Sequence, residues 1–133
     1  MDDSATAETT SPFDRLGGHE TFRAITDRFY DLMESEPAYA ELRAIHAEDL
    51  APMRKALPQF LAGWAGGPRD WFESNPGRCM MSVHKPFTIN RKVAGQWAEA
   101  MKRAVADVAT PDEAMAKQMG EVLAQLAKGM GRD

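Results

Sequence analysis

Apolar side chains in this chain recur three and four residues apart, and no stretch alternates with the period of two that a strand needs. From His19 to about Met33, Phe22, Ile25, Phe29, Leu32 and Met33 share one helical face. Glu34-Ser35-Glu36-Pro37 ends that helix, because the residue before a proline is pushed out of the α region. Ala38 to Ile45 carries Tyr39, Leu42 and Ile45 on one face and reads as one or two turns. Glu48-Asp49-Leu50-Ala51-Pro52 reads as a helix start, with acidic groups where the macrodipole favours them. The stripe that follows is Met53, Ala56, Leu57, Phe60, Leu61 and Trp64; Pro58 is expected to kink or split it, and Gly66-Gly67-Pro68 to stop it. Arg69 to Met81 has no period and contains Pro76-Gly77, so it reads as an irregular loop with one helical turn. A short helical piece should end at His84, since Pro86 follows at once. A further helix spans about Asn90 to Val108, with Val93, Trp97, Met101, Ala104, Val105 and Val108 inward. Thr110-Pro111-Asp112-Glu113 supplies an N-cap, a proline and an acidic first turn for the last helix, which is expected to bury Met115, Met119, Val122, Leu123, Leu126 and Met130.

Four main helices therefore make an all-α domain over residues 12–133, opened by Pro12-Phe13 and a short turn that Gly17-Gly18 interrupts. Residues 1–11, acidic and rich in Ser, Thr and Ala, read as a disordered tail. The length of 133 residues is that of one ordinary domain. Apolar runs of only a few residues leave no transmembrane helix, and the N-terminus does not resemble a secretory signal. A formal charge of −4 argues against a dedicated nucleic-acid binder, which needs a basic surface. The single cysteine, Cys79, can form neither an internal disulfide nor a cysteine zinc cluster, so the cytoplasm is the default compartment. What composition leaves unexplained is nine methionines and three tryptophans beside only three histidines.

Those histidines are far apart in sequence, and no phosphate loop, nucleophile elbow or zincin signature is present. His19 begins a helix and is expected at the surface, whereas His46 lies in a loop. His84 is held at the end of a turn by Pro86. There one ring nitrogen can meet unpaired helix carbonyls while the other points away, an arrangement that suits either an axial metal ligand or a helix cap. Trp97, Trp64, Phe60, Phe29 and Tyr30 can line one cavity for a flat apolar cofactor or simply form core. Tyr30 stands out at the edge of its helix's apolar face, because a buried hydroxyl needs a partner.

In order along the chain, Gly17-Gly18, Arg28-Phe29-Tyr30, Glu48-Asp49-Leu50, Gly66-Gly67-Pro68-Arg69, His84-x-Pro86-Phe87-x-Ile89, and Trp97 with Met101 resemble the group II truncated haemoglobins, small globins built as a two-over-two helical sandwich. The likeness runs from Phe13 to about Leu126, and its most specific part is the His-x-Pro-Phe-x-Ile segment with a tryptophan thirteen residues beyond the histidine. It implies haem b (iron protoporphyrin IX), with His84 as the proximal iron ligand. It places Tyr30, His46 and Trp97 on the distal side, as groups that stabilise a bound gas, and Met53, Leu57, Phe60, Lys85 and Phe87 around the haem. Two departures stand out. Met53 occupies a position where relatives carry a small residue, which restricts ligand access past that edge. Met80-Met81-Ser82-Val83 stands where relatives carry arginines, leaving Arg78, Lys85 or Arg91 to meet the propionates.

The same resemblance implies that O₂, NO and CO are the ligands. Donors aimed at bound O₂ slow its release, which favours O₂ chemistry on nitric oxide, peroxide or sulfide over bulk delivery. No flavin or nicotinamide motif is visible, so turnover calls for a separate reductase; the expected form is a monomer or homodimer, bound to neither membrane nor nucleic acid. A sensor or scavenger without turnover, and a haem-free helical interaction domain, are the competing readings.

Overall fold

The computed structural model describes residues 11–46, 48–74 and 90–129, and all regular structure among them is helical. Ser11 caps α1 (Pro12–Arg15): its hydroxyl accepts from the Asp14 N–H at 3.2 Å. Gly17 and Gly18, at φ 111° and 76°, then turn the chain into α2 (Gly18–Ser35) through the left-handed region that glycine adopts without penalty. Glu36 is extended ahead of Pro37, which ends α2 as the sequence predicts. A 3₁₀ turn (Pro37–Tyr39) leads into α3 (Ala40–Ala44), and α4 (Ala51–Trp64) follows. Asp49 accepts from the Ala51 N–H at 3.0 Å at the start of α4. The other elements are α5 (Asp70–Ser74), α6 (Arg91–Asp107) and α7 (Glu113–Gly129). Asn90 caps α6 by accepting from the Val93 N–H at 2.8 Å.

The four long helices pack as two pairs. α2 lies against both α4 and α6, and α6 forms the most extensive pair with α7. The predicted stripe of α2 is buried in full, and Thr26 and Tyr30 are buried with it. Tyr39 and Leu42 are likewise buried, which pins the short 3₁₀–α3 segment against α6.

Three expectations are corrected. Of the kink or split expected at Pro58, the split does not occur: α4 runs unbroken through it, because Met53 and Leu57 before the proline and Phe60 and Leu61 after it pack on the same core. Asp112, not Thr110, caps α7, its carboxylate accepting from the Met115 N–H at 3.1 Å and its carbonyl from the Ala116 N–H at 3.0 Å. The Thr110 hydroxyl is instead buried without a partner among the described residues. Finally, Val122 and Leu126 are 43% and 44% exposed, and α7 turns Ala116, Gly120, Leu123, Ala124 and Ala127 inward. The reason is the width of those residues. Gly120 lies against Val105, and Ala94, Ala98 and Ala104 of α6 are buried too, so a small-residue seam lets the two helices approach closely. Met130 lies outside the described residues.

Candidate functional site

Tyr30 sits on the buried face of α2 at 4% exposure. Burial pushes its phenol well above the ordinary range, only partly offset by the Arg54 guanidinium, so the hydroxyl is a neutral donor at any physiological pH. It makes no hydrogen bond to a described residue. A donor left open in this way can serve a polar ligand beside it.

A line of ring contacts brings the distal residues predicted from sequence together. Trp97 on α6 meets Phe29 at 5.3 Å between ring centroids, Phe29 meets Tyr30 at 5.0 Å, and Tyr30 meets His46 edge to face at 6.2 Å. Phe29, fully buried, is the link between α6 and α2. His46 follows α3, and its Nδ1 donates to the Leu42 carbonyl at 2.8 Å. Since a carbonyl only accepts, the hydrogen resides on Nδ1, and Nε2 of the neutral ring is an acceptor. Gln96 secures the other end of α3. Its Oε1 accepts from the Leu42 N–H at 3.0 Å and its Nε2 donates to Glu41 at 2.8 Å, while Lys92 pairs with Glu41 at 3.1 Å. That pair of bonds, with the Gln96 amide first and Lys92 second, pulls the Glu41 carboxyl down to about 2.

α4 forms the opposing wall. Met53 and Leu57 are half-buried, and Phe60, at 8% exposure, packs on Trp71 and Phe72 with centroids 5.0 and 5.4 Å away. Trp64 and Trp71 are also half-buried against the core. Ile45, Met53, Leu57 and Trp97 share a property: each packs on the core while keeping part of its apolar surface open. A flat apolar group would cover such surfaces, and the unpartnered Tyr30 hydroxyl would supply its polar contact, so the residues present fit a haem. His84, Lys85, Phe87 and Arg78 lie outside the described residues. His19 is exposed, its ring on the edge of Phe13 at 4.9 Å, away from the ring line. A cavity of about 710 Å³ opens over α6 between Tyr39, Glu99 and Arg103, and none of the predicted site residues lines it.

Two residues of the site escape a sequence reading, Gln96 and Arg54. Arg54 reaches from α4 to three carboxylates on α2: Asp27 at 3.2 Å, Asp31 at 2.9 Å and Glu34 at 3.0 Å. The signal for it was present, since Asp27, Asp31 and Glu34 stand four and three residues apart and form an acidic stripe that calls for a cation across the groove.

Residues 11–131 match the family described as bacterial-like globin. Solved structures agree. The cold-adapted truncated haemoglobin of the Antarctic marine bacterium Pseudoalteromonas haloplanktis TAC125 superposes with a TM-score of 0.86 at 27% identity, covering 93% of this chain and 99% of that one. The group II 2-on-2 haemoglobin of Agrobacterium tumefaciens gives 0.86 at 28% identity, covering 94% and 96%. The group II truncated haemoglobin of Bacillus anthracis gives 0.82 at 27%, covering 92% and 97%. With a family match over residues 11–131 and these superpositions, the chain belongs to the bacterial-like globins and has the fold of the group II truncated haemoglobins, a family that binds diatomic gases at haem.

Proposed function

We propose that this globin carries haem b, retains O₂ tightly, and uses it to oxidise nitric oxide. Bound haem supplies an iron that binds a diatomic gas and exchanges an electron. In this reading His84 is the proximal ligand, Met53, Leu57, Phe60, Lys85 and Phe87 surround the macrocycle, and Tyr30 and Trp97 donate hydrogen bonds to the gas. The observation that supports it most is the place of Tyr30, a buried residue at the centre of the Trp97–Phe29–Tyr30–His46 ring line whose hydroxyl bonds to no described residue. Two neutral donors in an apolar setting strengthen with the negative charge that O₂ acquires, and so oppose its release. His46 orients the distal wall and shields Tyr30, its own N–H being committed to Leu42.

Oxidation of NO to nitrate by retained O₂ consumes one electron per turnover, which a separate reductase returns. The experiment is a haem titration followed by rapid mixing of the oxygenated protein with NO. The expected results are a Soret band at one haem per chain, then stoichiometric nitrate with ferric protein. Absence of a Soret band overturns the haem reading; a Soret band without nitrate leaves a gas sensor or scavenger.

A further inference from the structure

We infer that Arg54 is the positioning residue of the distal side. Its guanidinium locks the three described segments around Tyr30 into one arrangement and thereby sets how far the Tyr30 hydroxyl reaches towards a gas ligand. The inference rests on the haem reading above.

The geometry is that of a junction. One terminal nitrogen of Arg54 donates to the Asp27 carboxylate at 3.2 Å and to the Asp27 carbonyl at 3.3 Å. The other donates to Asp31 at 2.9 Å and Glu34 at 3.0 Å. The same guanidinium lies 5.7 Å from the centre of the Tyr30 ring, which stands between Asp27 and Glu34 on α2. Glu34 also faces Arg43 at 3.9 Å, and Arg43 donates to the Glu48 carbonyl at 2.8 Å. The network therefore joins α2, which carries Tyr30, to α4, which carries Met53 and Leu57, and to the α3 end, which carries His46. These are the described distal elements apart from α6.

An exposed ion pair on its own holds little. Arg54 differs in two ways: its side chain is only 26% exposed, and its planar fork is oriented by three carboxylates at once. Fold stability does not require it, since α2 and α4 already bury Phe29, Phe60 and Leu61. To that core packing Arg54 adds a directional link between the first turn of α4 and the helix that carries Tyr30. A small shift of a donor group is enough to weaken a hydrogen bond to a ligand.

The test uses the haem-loaded full chain and its ferrous CO form. Arg54→Met keeps the apolar stem and the cover over Tyr30 while removing the fork. Expected are a shifted or split C–O stretching band and an O₂ off-rate raised at least about threefold, with near-UV circular dichroism and thermal unfolding little changed. Arg54→Lys should fall between, because a single ammonium cannot span three carboxylates. Asp31→Asn with Glu34→Gln should move the band the same way, and adding Arg54→Met to that pair should change little more. If Arg54→Met fails to fold, the carboxylate pair and wild-type protein in 1 M salt decide, since screening should reproduce the band shift. An unmoved C–O band and an off-rate within about twofold of wild type in a folded Arg54→Met protein would overturn the inference while leaving the haem reading intact. Failure of the wild type to take up haem removes both.

Discussion

His46 Nδ1 donates to the carbonyl oxygen of Leu42 across 2.8 Å, so the ring nitrogen that is left is an acceptor while the imidazole is neutral. His46 then cannot compensate for a lost donor at Tyr30. Replacing His46 by Phe preserves the edge contact with Tyr30, and we expect an O₂ off-rate within about threefold of wild type. Tyr30→Phe should raise it at least about tenfold, the equivalent of one hydrogen bond to a charged acceptor. Displacement of O₂ by CO in a stopped-flow instrument separates the two; equal effects would mean that the His46 ring also donates to the ligand.

Trp97 contributes from the other end of the ring line. Its indole N–H can only donate, and its ring is held by Phe29 at 5.3 Å. Trp97→Phe keeps an aromatic contact but removes the donor, so O₂ loss should quicken by up to about tenfold while thermal stability changes little. The double variant with Tyr30→Phe should lose O₂ faster than either single variant.

Glu41 predicts an acid signature. Its carboxyl is held at about 2 against an ordinary 4.5, first by Gln96 and then by Lys92. A carboxylate lowered on folding stabilises the folded state above its unfolded value and loses that contribution as pH falls through the folded value. Wild type should therefore exceed Glu41→Gln in melting temperature at neutral pH, with the gap closing between about pH 4.5 and 2. A gap that persists at pH 2 would mean that the carboxylate is not its source.

Leu123, rather than Val122 or Leu126, should carry the weight of α7. Leu123 is 1% exposed and lies beside Gly120, Ala124 and Ala127 on that face, so Leu123→Ala opens space that these small residues cannot refill. A loss of about 2–5 kcal/mol in urea unfolding is expected, against about 0.5 kcal/mol or less for Val122→Ser or Leu126→Gln.

Gly63 should resist enlargement. A methyl group there would stand 2.6 Å from the Phe72 ring and 3.3 Å from the Pro68 carbonyl. Gly63→Ala must displace α5 from α4, at a cost of about 1–3 kcal/mol by denaturant unfolding. Loss of the Phe60–Trp71–Phe72 contacts should accompany it as a change in tryptophan fluorescence.

The helices and their order are local properties, and they were legible for that reason. The stripe Phe22, Ile25, Phe29, Leu32 and Met33 can be buried only along one side of a helix, and Pro37 and Gly17-Gly18 bound it by steric rules that involve no distant residue. Tyr30, His46 and Trp97 were likewise marked as candidates by a resemblance carried in short segments. What the chain order could not convey was that Phe29 would join Trp97 to Tyr30, or that His46 would spend its N–H on Leu42.

The sequence by itself determined an all-α chain and the order of its helices, because periodicity and proline sterics act within a few residues; the globin family was legible only through a resemblance carried in short segments. Only the tertiary structure decided which side of α7 faces inward, which group caps it, and how Arg54 joins α4 to α2 and Gln96 joins α6 to α3. Those outcomes depend on partners up to 55 residues away, as Gln96 is from Glu41, and on which of two adjacent stripes packs more closely once a second helix is present. No local rule measures that competition.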